Sequence, residues 1–182
     1  MKTFKQFLLE QSKDITVLYP GKFKPPHKGH YNVLLKLLSV YNANKAIIFI
    51  SAIPRDGVTA EKSAAIWRVY LKRLGVTVDV QITQTPVRAV YEHILNHPHE
   101  QFALGVGEKD DDVSRYADIV NKPEKYHNVE PIKSVDLQEG GISGTDIRKK
   151  ILQKSADVFE FIPDEIRKFP ADLVEIREIL DL

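Results

Sequence analysis

Apolar residues recur along this chain in two alternating rhythms. Ile15-Thr16-Val17-Leu18-Tyr19 is a short β-rich apolar run halted by Pro20-Gly21, the pattern of a buried strand entering a loop. Over residues 29–41 the apolar positions Val33, Leu34, Leu37, Leu38 and Tyr41 fall three and four apart, which predicts an amphipathic helix laid on a sheet. Ala46-Ile47-Ile48-Phe49-Ile50 is continuously apolar, as strands buried on both faces of a parallel sheet are. The alternation then repeats. A helix over residues 60–74 has Thr59 as its N-cap, a strand covers residues 76–82, and Thr85-Pro86 opens a helix running to Asn96. A strand over residues 102–106 ends at Gly107, and a polar helix after Asp112 is stopped by Asn121-Lys122-Pro123. Residues 129–135 form a fifth strand, placed at the sheet edge by Pro131, and Ser143 caps a helix over residues 144–153.

Five strands alternating with helices predict an α/β fold: a Rossmann-like, doubly wound five-stranded parallel sheet with right-handed crossovers. After Ser155 the pattern is helical only. Residues 162–165 and 171–182 read as short amphipathic helices, extra C-terminal helices that pack on the domain or make a homo-oligomer contact. The chain divides into an N-terminal segment (1–14), an α/β domain (15–154) and a helical extension of that domain (155–182).

Composition narrows the classes. With 182 residues, 43% apolar and 28% charged, the chain can bury a core of its own, which excludes collagen-like, low-complexity and wholly disordered chains. Lysine and arginine number 26 against 25 acidic residues, so a net charge of +1 points to no nucleic-acid partner and no anionic membrane. The absence of cysteine excludes disulfides, thiolate nucleophiles and Cys-ligated zinc, and agrees with a reducing compartment. The longest apolar run, residues 46–53, is far short of the roughly 20 residues a membrane span needs. The first residues lack a signal-peptide apolar region, so a soluble cytoplasmic protein is expected.

In an open parallel sheet, ligands sit beyond the carboxyl ends of the strands. The loop after the first strand is the most unusual stretch of the sequence. Gly21-Lys22-Phe23-Lys24-Pro25-Pro26-His27-Lys28-Gly29-His30 places two glycines, two histidines and three lysines between a buried strand and a helix N-terminus. Exposed N–H groups and the positive end of the helix favour an anion there, and both imidazoles can donate to it. His93, His97, His99 and His127 lack a metal-site spacing, so no protein metal site is expected.

This loop resembles the GRFxPxHxGH form of the HxGH nucleotidylyltransferase signature, found in the branch of nicotinamide mononucleotide (NMN) adenylyltransferases. Ile142-Ser143-Gly144-Thr145-Asp146-Ile147-Arg148 resembles the same superfamily's ISSTxIR motif, in the expected chain order. The resemblance covers residues 15–152. It implies transfer of a nucleoside monophosphate, AMP from ATP foremost, to a small phosphorylated acceptor such as NMN, forming NAD and releasing pyrophosphate, with Mg2+ accompanying the ATP.

On that resemblance His27, His30 and Arg148 are the catalytic residues, holding the triphosphate and stabilising the transferring phosphoryl group. Gly21, Lys22, Phe23, Lys24, Gly29, Gly107, Lys109, Asp110, Ile142, Ser143 and Thr145 would bind the nucleotide. Arg55, Trp67 and Arg88 are candidate acceptor contacts, two as phosphate partners and Trp67 as a stacking platform, although its helical position suggests packing. Lys22 stands where the branch usually has Arg, and Lys24 where it often has Gln, which leaves the acceptor open. Gly144 replaces the motif's second serine.

Two other functions share these residues: a cytidylyltransferase using CTP and a phosphorylated alcohol, and a nucleotide-binding module without turnover. No Nudix-type run is present, so a fused pyrophosphate-bond hydrolase is not expected within this sequence. Residues 1–10 resemble leaders that direct internal proteins into the heads of large tailed bacteriophages, against the simpler reading of an amphipathic helix docked on the domain. A phage origin would put the protein in the host cytoplasm or the virion.

Overall fold

The computed structural model describes residues 13–107, 111–135 and 142–182. Residues 1–12 of the N-terminal segment read as a helix or leader, along with Lys109 and Asp110, lie outside them, while Lys13 and Asp14 belong to the first strand. Strand β1 (Lys13–Gly21) leads into α1 (Lys28–Val40), then β2 (Ala43–Ser51), α2 (Ala60–Leu71), β3 (Thr77–Thr83) and α3 (Pro86–Asn96). Two short strands follow, β4 (Gln101–Ala103) and β5 (Gly105–Gly107), then a 3-10 turn (Asp111–Tyr116), α4 (Ala117–Asn121) and β6 (Lys133–Val135). The chain closes with α5 (Gly144–Leu152), a 3-10 segment (Ala156–Phe161), α6 (Asp164–Arg167) and α7 (Pro170–Ile179).

The parallel α/β architecture is present. Four strands form one sheet in the order β3-β2-β1-β4, while β5 and β6 form a separate two-stranded parallel pair. The strand expected over residues 102–106 is thus split at Leu104. Its carbonyl lies 2.7 Å from the Tyr41 hydroxyl, a side-chain partner in place of a ladder bond. The pairing advances by one residue across this break, from Phe102↔Val129 to Gly105↔Lys133, and the extra residue falls around Pro131, which has no N–H to lose. The strand expected over residues 129–135 therefore shrinks to β6.

The strand β1 runs two residues past its expected stop, through Pro20 and Gly21. Its β4 side is paired only at Ile15, Thr16 and Val17, so Pro20 sits where that side demands no donor. Helices cover both faces. In β2, Ala46, Ile48 and Ile50 point into the core shared with α1, α2 and the C-terminal helices, while Ile47 and Phe49 meet Val90, Ile94 and Phe102 on the other face. Burial on both faces accounts for a run with no polar alternation. All the βα connections of the main sheet open at its carboxyl edge, where β1 delivers the loop of residues 22–27 to the start of α1.

Candidate active site

Helix α1 is capped by its own histidines. The His27 ring accepts the Gly29 N–H at Nδ1 (3.2 Å), and the His30 ring accepts the His27 N–H at Nδ1 (3.3 Å), a reciprocal capping box built from imidazoles. A backbone N–H can only donate, so each Nδ1 is an acceptor and the proton of each neutral ring is on Nε2. The rings stack with centroids 3.7 Å apart. Burial pushes the His27 imidazole down to about 4, and burial together with the neighbouring His27 holds His30 well below its ordinary value. Both rings are therefore neutral Nε2–H donors near pH 7.

The surroundings fix this pair. Phe23, at φ +49, meets His30 edge to face at 5.0 Å and Trp67 at 5.4 Å. A Cβ at residue 21 would lie 2.5 Å from the Phe23 ring, so that ring needs Gly21 beneath it. A Cβ at residue 29 would lie 3.0 Å from His27 Cε1, so the His27 ring can fold over the helix start only above a glycine. Beneath the loop, the buried Tyr70 hydroxyl of α2 donates to the Pro26 carbonyl at 3.2 Å.

Two cations are buried beside this neutral pair. Lys24, 4% exposed, donates from Nζ to the carbonyls of Ser51 (2.8 Å) and Lys22 (3.1 Å), and burial lowers its ammonium to about 8, with Glu61 opposing. Arg148 reaches back from α5. It donates from Nε to Asp56 (2.7 Å), from Nη1 to the Lys24 carbonyl (3.0 Å) and from Nη2 to the Thr145 hydroxyl (3.1 Å). A guanidinium has five N–H groups, so two remain for a ligand.

These groups open onto a cleft of about 800 Å³ beyond the carboxyl ends of the strands. Of the residues singled out in the sequence, Gly21, Lys22, Phe23, Lys24, His27, Gly29, His30, Arg55, Ile142 and Arg148 line it. Thr145 touches Arg148, and Ser143 is the N-cap of α5 without a side-chain cap bond. Gly107 ends β5, whose first residue, Gly105, is the one in the wall.

Trp67 and Arg88 are elsewhere. Trp67 is fully buried in the core of α2 and has no ring face for a ligand, because its place at helical spacing among Ala64, Ile66 and Tyr70 turns it inward. Arg88 is 77% exposed and paired with Glu92 one turn on along α3. Sequence reasoning passed over Asp56, Lys36 and Arg115. Lys36 lies one turn from Asn32 on α1, and both line the cleft, a polar i, i+4 pair beside the apolar face. Among the described residues, the wall holds six lysines and arginines (Lys22, Lys24, Lys36, Arg55, Arg115 and Arg148) and no acidic side chain.

No protein-family model and no curated protein matches the sequence. Solved structures match its fold, mononucleotide adenylyltransferases among them. A bifunctional NMN adenylyltransferase/ADP-ribose pyrophosphatase from Francisella tularensis superposes with a TM-score of 0.64 at 18% identity, over 93% of this chain and 50% of the other. The same protein complexed with AMP and a manganese ion gives 0.59 at 19% identity, over 92% and 52%. This chain thus spans about half the length of that protein. The Plasmodium falciparum nicotinic acid mononucleotide adenylyltransferase complexed with NaAD gives 0.61 at 13% identity, over 91% of this chain and 96% of the other. At these identities the likeness is one of fold. No described helix is long and apolar enough to cross a membrane.

Proposed function

We propose that the chain is a nucleotidylyltransferase that transfers AMP from MgATP to a small phosphorylated acceptor, with NMN giving NAD, and releases pyrophosphate. The observation carrying this reading is the stacked His27–His30 pair, two neutral imidazoles held as Nε2–H donors at a helix N-terminus inside a cationic cleft. An acceptor phosphate oxygen attacks the α-phosphorus in line, the bond to the bridging oxygen breaks, and its electron pair leaves on pyrophosphate. His27 and His30 donate to the phosphoryl oxygens as charge moves toward the leaving group. Lys24 and Arg148 neutralise the β- and γ-phosphates, with the two unused N–H groups of Arg148 offered to them.

Nothing here needs a covalent intermediate, so catalysis is positioning plus charge stabilisation. Among the described residues, no three His, Asp or Glu side chains converge as a metal site. With cations and no carboxylate in the described wall, a magnesium ion would be held by the triphosphate itself and would add charge neutralisation there.

The test is pyrophosphate release with magnesium, crossing ATP and CTP against NMN, nicotinate mononucleotide, phosphopantetheine, phosphocholine and glycerol phosphate. Release with ATP and a mononucleotide is expected. Release only with CTP would replace the adenylyl reading by the cytidylyl one, and silence with every pair would overturn nucleotidyl transfer to these acceptors.

A further inference from the structure

Between β2 and α2 the chain reverses within two residues. The Arg55 N–H donates to the Val58 carbonyl at 3.0 Å and the Val58 N–H to the Arg55 carbonyl at 2.9 Å. Asp56 and Gly57 have φ of +46° and +80°, a left-handed pair that Asp-Gly adopts at the least steric cost. This turn stands at the carboxyl edge of the sheet, a few residues past Ser51, whose carbonyl anchors the Lys24 ammonium. Arg55 lines the cleft, and the Asp56 carboxylate at the tip accepts the Nε–H of Arg148 at 2.7 Å.

The pair is asymmetric: the Arg148 side chain is 6% exposed and that of Asp56 53%. A guanidinium that deeply buried needs a counter-charge, and a rigid turn delivers one at a fixed point. Arg148 is thereby held from three sides, by the turn tip, by the loop carbonyl of Lys24 and by Thr145 of its own helix. We propose that Asp56 is a positioning residue for triphosphate binding: it fixes the Arg148 guanidinium so that its two unused N–H groups are kept ready for the phosphates. This inference rests on the nucleotidyl-transfer reading of the site.

Two effects of Asp56 have opposite signs, which makes the test decisive. As a carboxylate beside an anion site it repels phosphate, so electrostatics alone predicts that its removal tightens anion binding. As a positioning group it holds the one side chain that gives the anion a planar fork, so its removal weakens binding. Because Asp56 is half in solvent, its repulsion is screened and positioning dominates.

The experiment is calorimetric binding of inorganic tripolyphosphate to the purified chain and its variants. Asp56→Ala is expected to weaken binding about tenfold and Asp56→Asn, which keeps an acceptor oxygen, about threefold. On an Arg148→Ala background, Asp56→Ala should change nothing further, because the interaction it serves is gone. Equal or tighter binding by Asp56→Ala would overturn the proposal, as would a weakening that persists without Arg148, which would mark a general loosening of the fold. Should Asp56→Ala fail to fold, Asp56→Asn alone carries the same comparison. A wild-type chain that does not bind tripolyphosphate would instead remove the site reading, and this proposal with it.

Discussion

Two imidazoles with ring centres 3.7 Å apart would repel strongly if both were charged, and the structure keeps them neutral by withdrawing them from water. That arrangement has a cost in acid. In the unfolded chain His27 titrates near its ordinary 6.5, and in the folded chain at about 4, so between those values the unfolded state binds more protons. The stability that His27 contributes is fully present above pH 6.5 and is lost as the pH falls from there toward 4. At about 1.4 kcal/mol per unit, going from roughly pH 7 to 5 removes about 2 kcal/mol through this one ring, and His30 adds in the same direction. His27→Asn keeps an N-cap acceptor without a titrating group. Thermal melting of the wild type should therefore drop more steeply on acidification than that of His27→Asn; parallel pH slopes would show that the ring is not held neutral.

At the scale of a single helix, α1 begins on a conflict between stability and function. Alanine at position 29 would gain up to about 1 kcal/mol in helix propensity. Its Cβ, 3.0 Å from His27 Cε1 and 3.1 Å from Nδ1, would push a ring that is wedged against His30 and cannot yield without losing its cap bond, itself worth about 1 kcal/mol. Gly29→Ala is thus expected to melt within a few degrees of the wild type while binding tripolyphosphate at least tenfold more weakly. Unchanged affinity would mean that the His27 ring position is irrelevant to the anion. The helix itself was legible from the sequence, as were β2, α2 with its Thr59 cap, and α3 with Pro86, because each follows from a local period or a cap. The split of the fourth strand was not, since it depends on the Tyr41 hydroxyl reaching Leu104 from 63 residues away. For Trp67 the helical position already pointed to packing, and its full burial in the core leaves stacking on a ligand no ring face.

Across the whole molecule, charge is distributed unevenly in a way that the net value of +1 conceals. Among the described residues, setting aside the six cations of the cleft wall leaves 17 lysines and arginines against 20 acidic residues, so the described remainder carries −3. Composition pointed away from any global electrostatic partner, because it reads only the average field. The local field could not be read so easily, because Lys36, Arg55, Arg115 and Arg148 come from four separate segments that only the fold brings together. A concave wall bearing cations and no described acid focuses potential on its interior and selects ligands with several negative charges. Raising sodium chloride from about 50 to about 500 mM shortens the Debye length from roughly 14 to roughly 4 Å, which screens the outer cations while leaving the buried Lys24 and Arg148 little affected. Tripolyphosphate binding should accordingly weaken by about tenfold across that range and then level off, whereas binding of uncharged adenosine should not change. Loss of tripolyphosphate binding without a plateau would place the affinity in the exposed lysines rather than in the buried pair, and a salt-insensitive affinity would show that the six cations do not act together on the ligand.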